Sequence, residues 1–182
     1  MDTYHFTLIV EGTDFLDDDI VNAVYEAGCD DATVGVSVGV PRADFSREAP
    51  SLEEAALSAI ADLESVDGIE VIRIADAGLA SIPDIAARTG RTRESVRLLV
   101  EGKRGPGGFP APVTDPSRRR HRLWYWPEVA RWFESTGVGR ADGDQEQILA
   151  AINAWLQLRR LRKTVEPERW EALRARFAPT LQ

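Results

Sequence analysis

The sequence predicts an α+β chain in three parts: an acidic α/β segment over residues 1–76, a basic segment over 77–136 built on two short helices, and a C-terminal helical hairpin over 144–178. Three observations predict it. Apolar residues alternate between a period of two and helical spacing through the first segment, charge changes sign along the chain, and glycine and proline mark the breaks between periodic runs. Of 182 residues, 30 are acidic and 22 basic, for a net charge of −8. Residues 1–80 hold 3 arginines against 18 acids, residues 81–140 hold 12 bases against 6 acids, and the last 42 residues hold 7 against 6. An even negative charge would argue against nucleic acid; a −15 segment beside a +6 segment assigns the two different partners.

A composition of 43% hydrophobic and 29% charged residues suits a globular core. No apolar run of about 18 residues occurs, and the acidic N-terminus lacks the basic and apolar stretches of a secretion signal. A cytoplasmic chain without membrane contact is expected. Cys29 is the sole cysteine, which excludes an internal disulfide and a multi-thiolate metal site and leaves it as a packing residue.

In the first segment, residues 4–11 are aromatic and β-branched and stop at Gly12, as a strand does. Ile20, Val21, Val24 and Tyr25 then fall at helical spacing behind a run of aspartates, and Gly28 closes that helix. Residues 33–40 alternate valine with small residues, and a turn over residues 41–44 leads to a return strand around 43–47. Ser51 with Glu54 has the spacing of a capping box ahead of Leu52, Ala55, Ala56, Ala59, Ile60 and Leu63, and residues 69–74 supply a last strand. The order β-α-β-β-α-β predicts an antiparallel sheet with two helices on one face, the ferredoxin-like arrangement. Asp17, Asp18, Asp19, Asp30 and Asp31 invite a metal reading. Consecutive helical carboxylates point apart and no calcium-loop spacing is present, so helix-dipole and turn roles are expected for them and no metal or cofactor. His5, inside a strand, is expected to be a satisfied residue.

In the basic segment, Ser81 caps a helix over 82–88 with Pro83 in its first turn, Gly90 makes the turn, and Thr92 caps a second helix that runs to about Glu101 before Gly102. Ile85, Ala86, Val96 and Leu99 can share one seam while Arg91, Thr92, Arg93, Ser95 and Arg97 face outward. That is how a helix-turn-helix offers a helix to a DNA major groove, where an arginine fork bonds guanine or grips phosphate. Residues 103–113, rich in glycine and proline, and the run Arg118, Arg119, Arg120, His121, Arg122 are read as a hairpin wing. Phe109, Val113, Leu123, Trp124 and Trp126 anchor it, and Lys103, Arg104 and the arginine run lie near phosphates. Pro127 opens the next helix, with Val129, Trp132 and Phe133 inward.

Residues 79–134, with the run Ile85-Ala86-Ala87, the turn at Gly90, Phe109-Pro110-Ala111-Pro112-Val113 and Val129-Ala130-Arg131-Trp132-Phe133, resemble winged helix-turn-helix domains of the MerR and phage-excisionase type. The resemblance implies DNA binding through Thr92, Arg93, Ser95 and Arg97, with wing contacts from residues 118–122. Residues 25–35 and 44–55 also resemble a widespread bacterial group of small proteins described as DNA-binding, whose N-terminal block has no established activity. Glu94 and Glu101 depart from a purely basic reading helix. In the tail, Ile148, Leu149, Ile152, Trp155, Leu156 and Leu158 form one stripe, and Trp170, Leu173 and Phe177 a second. Both need cover, from the N-terminal segment or from another copy in a homodimer.

The expected function is a sequence-specific, double-stranded-DNA-binding transcriptional regulator without catalysis, since no Ser/His/Asp or Cys/His constellation stands at usable spacing. Its acidic domain would take a protein partner or a small ligand. The alternative is an interaction protein, an antitoxin or adaptor, whose acidic domain captures a partner.

Overall fold

The computed structural model describes residues 1–75, 78–115, 122–139 and 144–177. It is a mixed α+β chain with seven helices among the described residues. Contacts gather it into two units, Met1–Ala75 with Ala151–Gln182, and Asp76–Ala150. The expected third domain over 144–178 is thus not separate: most of its first helix groups with the N-terminal unit.

In the first unit, β1 (Asp2–Glu11), α1 (Asp18–Glu26), β2 (Ala32–Ser37), β3 (Val40–Ala49), α2 (Leu52–Glu64) and β4 (Glu70–Ile74) follow in order. The strands form one antiparallel sheet in the order β2-β3-β1-β4. Alternation decides its faces. Phe6, Leu8 and Val10 of β1 and Ala43 and Phe45 of β3 are buried, and the paired rings of Phe6 and Phe45 stack with centroids 5.3 Å apart. Ala55, Ala56, Ala59 and Leu63 of α2 are each fully buried. Three alanines on that face let the helix backbone come close to β1, β3 and β4.

One turn differs from expectation. The β2–β3 reversal is made by Val38 and Gly39, with φ of 51° and 76°, and Pro41 lies inside β3 instead of in the turn. Both central residues at positive φ define a type I′ reversal, which matches the twist of the strands. Pro41 is tolerated because it stands opposite Val36 in a pair that exchanges no hydrogen bonds, and because the β1 ladder reaches only Arg42. Val38 is fully exposed and β-branched, an unfavourable occupant of left-handed space. Val38→Asn is expected to stabilise the first unit by about 1 kcal/mol in denaturant unfolding.

The aspartates take specific roles. Asp17 caps α1 by accepting from the Asp19 N–H at 2.9 Å. Asp31, expected to bond turn backbone, instead receives two bonds from Arg47, 2.8 Å from Nε and 3.0 Å from Nη2. Arg47 is 7% exposed; it also donates to Asp62 at 2.7 Å, to Ser58 at 3.1 Å and to the Gly28 carbonyl at 2.8 Å, and its guanidinium lies 5.0 Å from the Phe45 ring centre. One cation therefore fastens β3, α2 and the turn before β2. Burial, with Asp62 nearby, pushes the Cys29 thiol up to about 11, so it stays protonated and inert at neutral pH.

α6 (Asp144–Thr164) closes the β4 edge. The Asn153 amide accepts from the Ile74 N–H at 2.7 Å and donates to the Ile74 carbonyl at 2.9 Å, as a neighbouring strand would. Arg159 donates to the Val71 carbonyl at 2.9 Å and to Glu64, which itself accepts from the Val71 N–H. Arg160 pairs with Glu11 and Lys163 with Glu70. α7 (Pro167–Phe177) buries none of its residues. Among the described residues, no helix is long and apolar enough to cross a membrane.

The second unit contains β5 (Leu79–Ala80), α3 (Ile82–Arg88), α4 (Arg93–Val100), β6 (Trp124–Tyr125) and α5 (Trp126–Thr136). Its core joins Ile85, Ala86, Val96, Leu99, Trp124, Trp126, Val129, Trp132 and Phe133.

Candidate nucleic-acid interface

α3 begins with a complete capping box. Asp84 accepts from the Ser81 hydroxyl at 2.5 Å and from the Ser81 N–H at 2.9 Å while Ser81 Oγ caps the Asp84 N–H, and the hydroxyl bond, then the backbone bond, hold the Asp84 carboxyl below its ordinary range. Its end is fixed by Gly90 at φ 64°: the Gly90 N–H donates to the Ala87 carbonyl and the Arg91 N–H to the Ala86 carbonyl. α4 ends the same way, with Gly102 and Lys103 donating to the Leu99 and Leu98 carbonyls. Thr92 caps α4 by accepting from the Ser95 N–H at 3.1 Å. Both helices thus have the bounds the sequence implies, and Val96 and Leu99 seat α4 on Ile85 and Ala86.

The residues expected to contact DNA divide into three kinds. Arg93 is exposed at the first turn of α4, beside half-buried Ser95. Arg97 is not free to face outward alone: it donates to Glu94 at 2.5 and 2.8 Å and to Glu101 at 2.7 Å. Lys103 completes the chain at 2.9 Å from Glu101, and Lys103 and Arg97 together hold the Glu101 carboxyl down at about 2. A carboxyl depressed in the folded state contributes stability above its ordinary pKa and loses it as pH falls toward the folded value, so this ladder loosens only in strong acid. Arg91 departs most from expectation. Its guanidinium donates to the Val138 carbonyl and lies 5.6 Å from the Phe133 ring centre, so it ties the turn to the segment after α5.

The glycine- and proline-rich stretch contains no strand among its described residues, contrary to the expected wing ladder. β6 pairs with β5, Leu79 opposite Tyr125 and Ala80 opposite Trp124, because β5 runs directly into α3 and lies beside it. The stretch is nonetheless fastened by side chains. Trp132 Nε1 donates to the Gly107 carbonyl and Trp124 Nε1 to the Pro110 carbonyl, each at 3.0 Å, and Phe109 packs on both indoles and on Phe133. Tryptophans at 124, 126 and 132 are core, and no sequence signal marks their indole N–H groups as the clamps. The base of the following loop is closed by the Val113 N–H donating to the Leu123 carbonyl at 2.8 Å and the Leu123 N–H to Thr114 Oγ1 at 3.0 Å.

Lys103 and Arg104 are exposed just past α4. Arg122 lies with its guanidinium 5.6 Å from the Trp124 ring centre at the loop base. Arg118, Arg119 and Arg120 lie outside the described residues. No family model, curated protein or solved structure matches the chain.

Proposed function

We propose that residues 78–139 are a winged helix-turn-helix that binds double-stranded DNA, with α4 in the major groove and the loop between Val113 and Leu123 as the wing. The first unit is then a ferredoxin-like domain, and the protein a non-catalytic regulator. The observation that carries the reading is the division of α4: Val96 and Leu99 are buried on α3, while Arg93 stands exposed at the end where the helix dipole is positive. The exposed Lys103 and Arg104 flank it, and a basic run occupies the loop whose base is pinched shut. In this reading Arg93 contacts a base or phosphate directly, while Arg97 orients Glu94 and Arg91 braces the turn.

The test is binding of the full chain to a randomised duplex pool across a salt series. Affinity is expected to fall with salt, and Arg93→Ala to cost about 1–3 kcal/mol. Arg91→Ala should instead lower the melting temperature. Absence of salt-dependent binding, or an Arg93→Ala protein that binds as the parent does, would overturn the reading.

A further inference from the structure

The two edges of the sheet are treated differently. β4 is closed by Asn153, Arg159 and Glu64, whereas β2 ends the sheet on the other side. Its register fixes which groups face outward. Ser37 and Val40 bound the two-residue turn, and the Ser46 N–H donates to the Asp31 carbonyl at 3.0 Å, so odd-numbered residues of β2 exchange bonds with β3. Val34 and Val36 therefore direct their N–H and C=O groups away from the sheet. Natural edges are protected by charge, proline or a bulge. β2, Ala-Thr-Val-Gly-Val-Ser, has no charged residue and no proline, and pairs with β3 without a register break.

We propose that β2 is a self-association edge, on which a second copy of this chain pairs its own β2 antiparallel about a two-fold axis. Such pairing sets the residues nearest the axis close to their own copies, so a charge at the middle of the strand would meet a like charge. An uncharged strand within a segment of 18 acids and 3 arginines meets that condition. Parity supports it as well. With the two-fold at Gly35, Val34 of one copy stands beside Val36 of the other on the helix-bearing face, while threonine, glycine and serine meet on the opposite face. The adjoining Asp31 and Asp44 are engaged by Arg47 and Arg42, so neither is offered to a basic foreign peptide.

The test is sedimentation velocity of the full chain from low micromolar to several hundred micromolar, with amide exchange read at Val34 and Val36. Dimer is expected to form with rising concentration, to strengthen with salt because the units are acidic, and to protect those two amides. Salt thus acts on it in the opposite sense to DNA binding, so the two proposals fail separately. Val36→Pro removes an outward N–H without touching the β2–β3 ladder, and Val36→Lys places like charges across the two-fold. Each should raise the dimer dissociation constant at least tenfold with an unchanged circular dichroism spectrum. A chain monomeric throughout in high salt overturns the proposal. So does a dimer that survives both substitutions, which would move the contact to exposed Trp155 and Leu158 of α6.

Discussion

Replacing Trp124 by alanine is expected to cost the second unit about 3–5 kcal/mol, the range for emptying a buried aromatic site. The side chain is wholly buried, packs edge-on to Phe109, and belongs to the strand paired with β5 directly ahead of α3. Its loss also leaves the Pro110 carbonyl without the indole donor. Trp124→Phe keeps a six-membered ring in the site and loses the donor with part of the indole's volume, so it should cost clearly less than truncation to alanine. Denaturant unfolding of both variants measures the difference. A Trp124→Ala loss below about 1 kcal/mol would show that the residue is not a core member. The loop base at Val113 and Leu123 adjoins this indole, so under the proposed function DNA affinity should fall even where the unit remains folded.

Arg47→Ala should cost the first unit about 3 kcal/mol, the lower end of the range for breaking a buried ion pair. The lower end applies because the side chains of Asp31 and Asp62 are 25% and 34% exposed and water reaches them when the guanidinium is gone. Two carboxylates then face each other without a cation. Arg47→Lys rescues only in part, because a point charge cannot reproduce the fork to Asp31. An Arg47→Met protein as stable as the parent in denaturant unfolding would assign the loss to packing against Phe45 instead.

Local chemistry made α3 and α4 legible. Ser81, Pro83, Gly90, Thr92 and Gly102 each act within four residues of their own position, and such signals survive without tertiary knowledge. The hairpin turn was misplaced for the opposite reason. Pro41 is a strong local turn signal, but the β2–β3 register, which sets Val34 opposite Ala43 and Ser37 opposite Val40, places the reversal at Val38 and Gly39, against the preference of valine. Arg47 and Arg91 could not be read because their partners are remote: Asp62 is fifteen residues away and the Val138 carbonyl, a backbone atom with no residue signature, forty-seven. Arg93 was legible as exposed. The pairing of Arg97 was available from its spacing to Glu94 and Glu101, the i,i+3 and i,i+4 neighbours of a helix.

The contact of α6 with β4 is a match of two rulers. Asn153 stands at Ile74 and Arg159 at Val71, six residues along the helix against three along the strand, run in opposite directions. At rises of about 1.5 and about 3.3 Å these spans are about 9 and about 10 Å, so helix and strand are commensurate over this stretch. Such a fit tolerates side-chain exchange at other positions but not a change in length. One residue inserted between 153 and 159 turns the rest of α6 by about 100° and carries Arg159, Arg160 and Lys163 off their partners at once. The length of that interval, more than its composition, is what keeps the β4 edge shut.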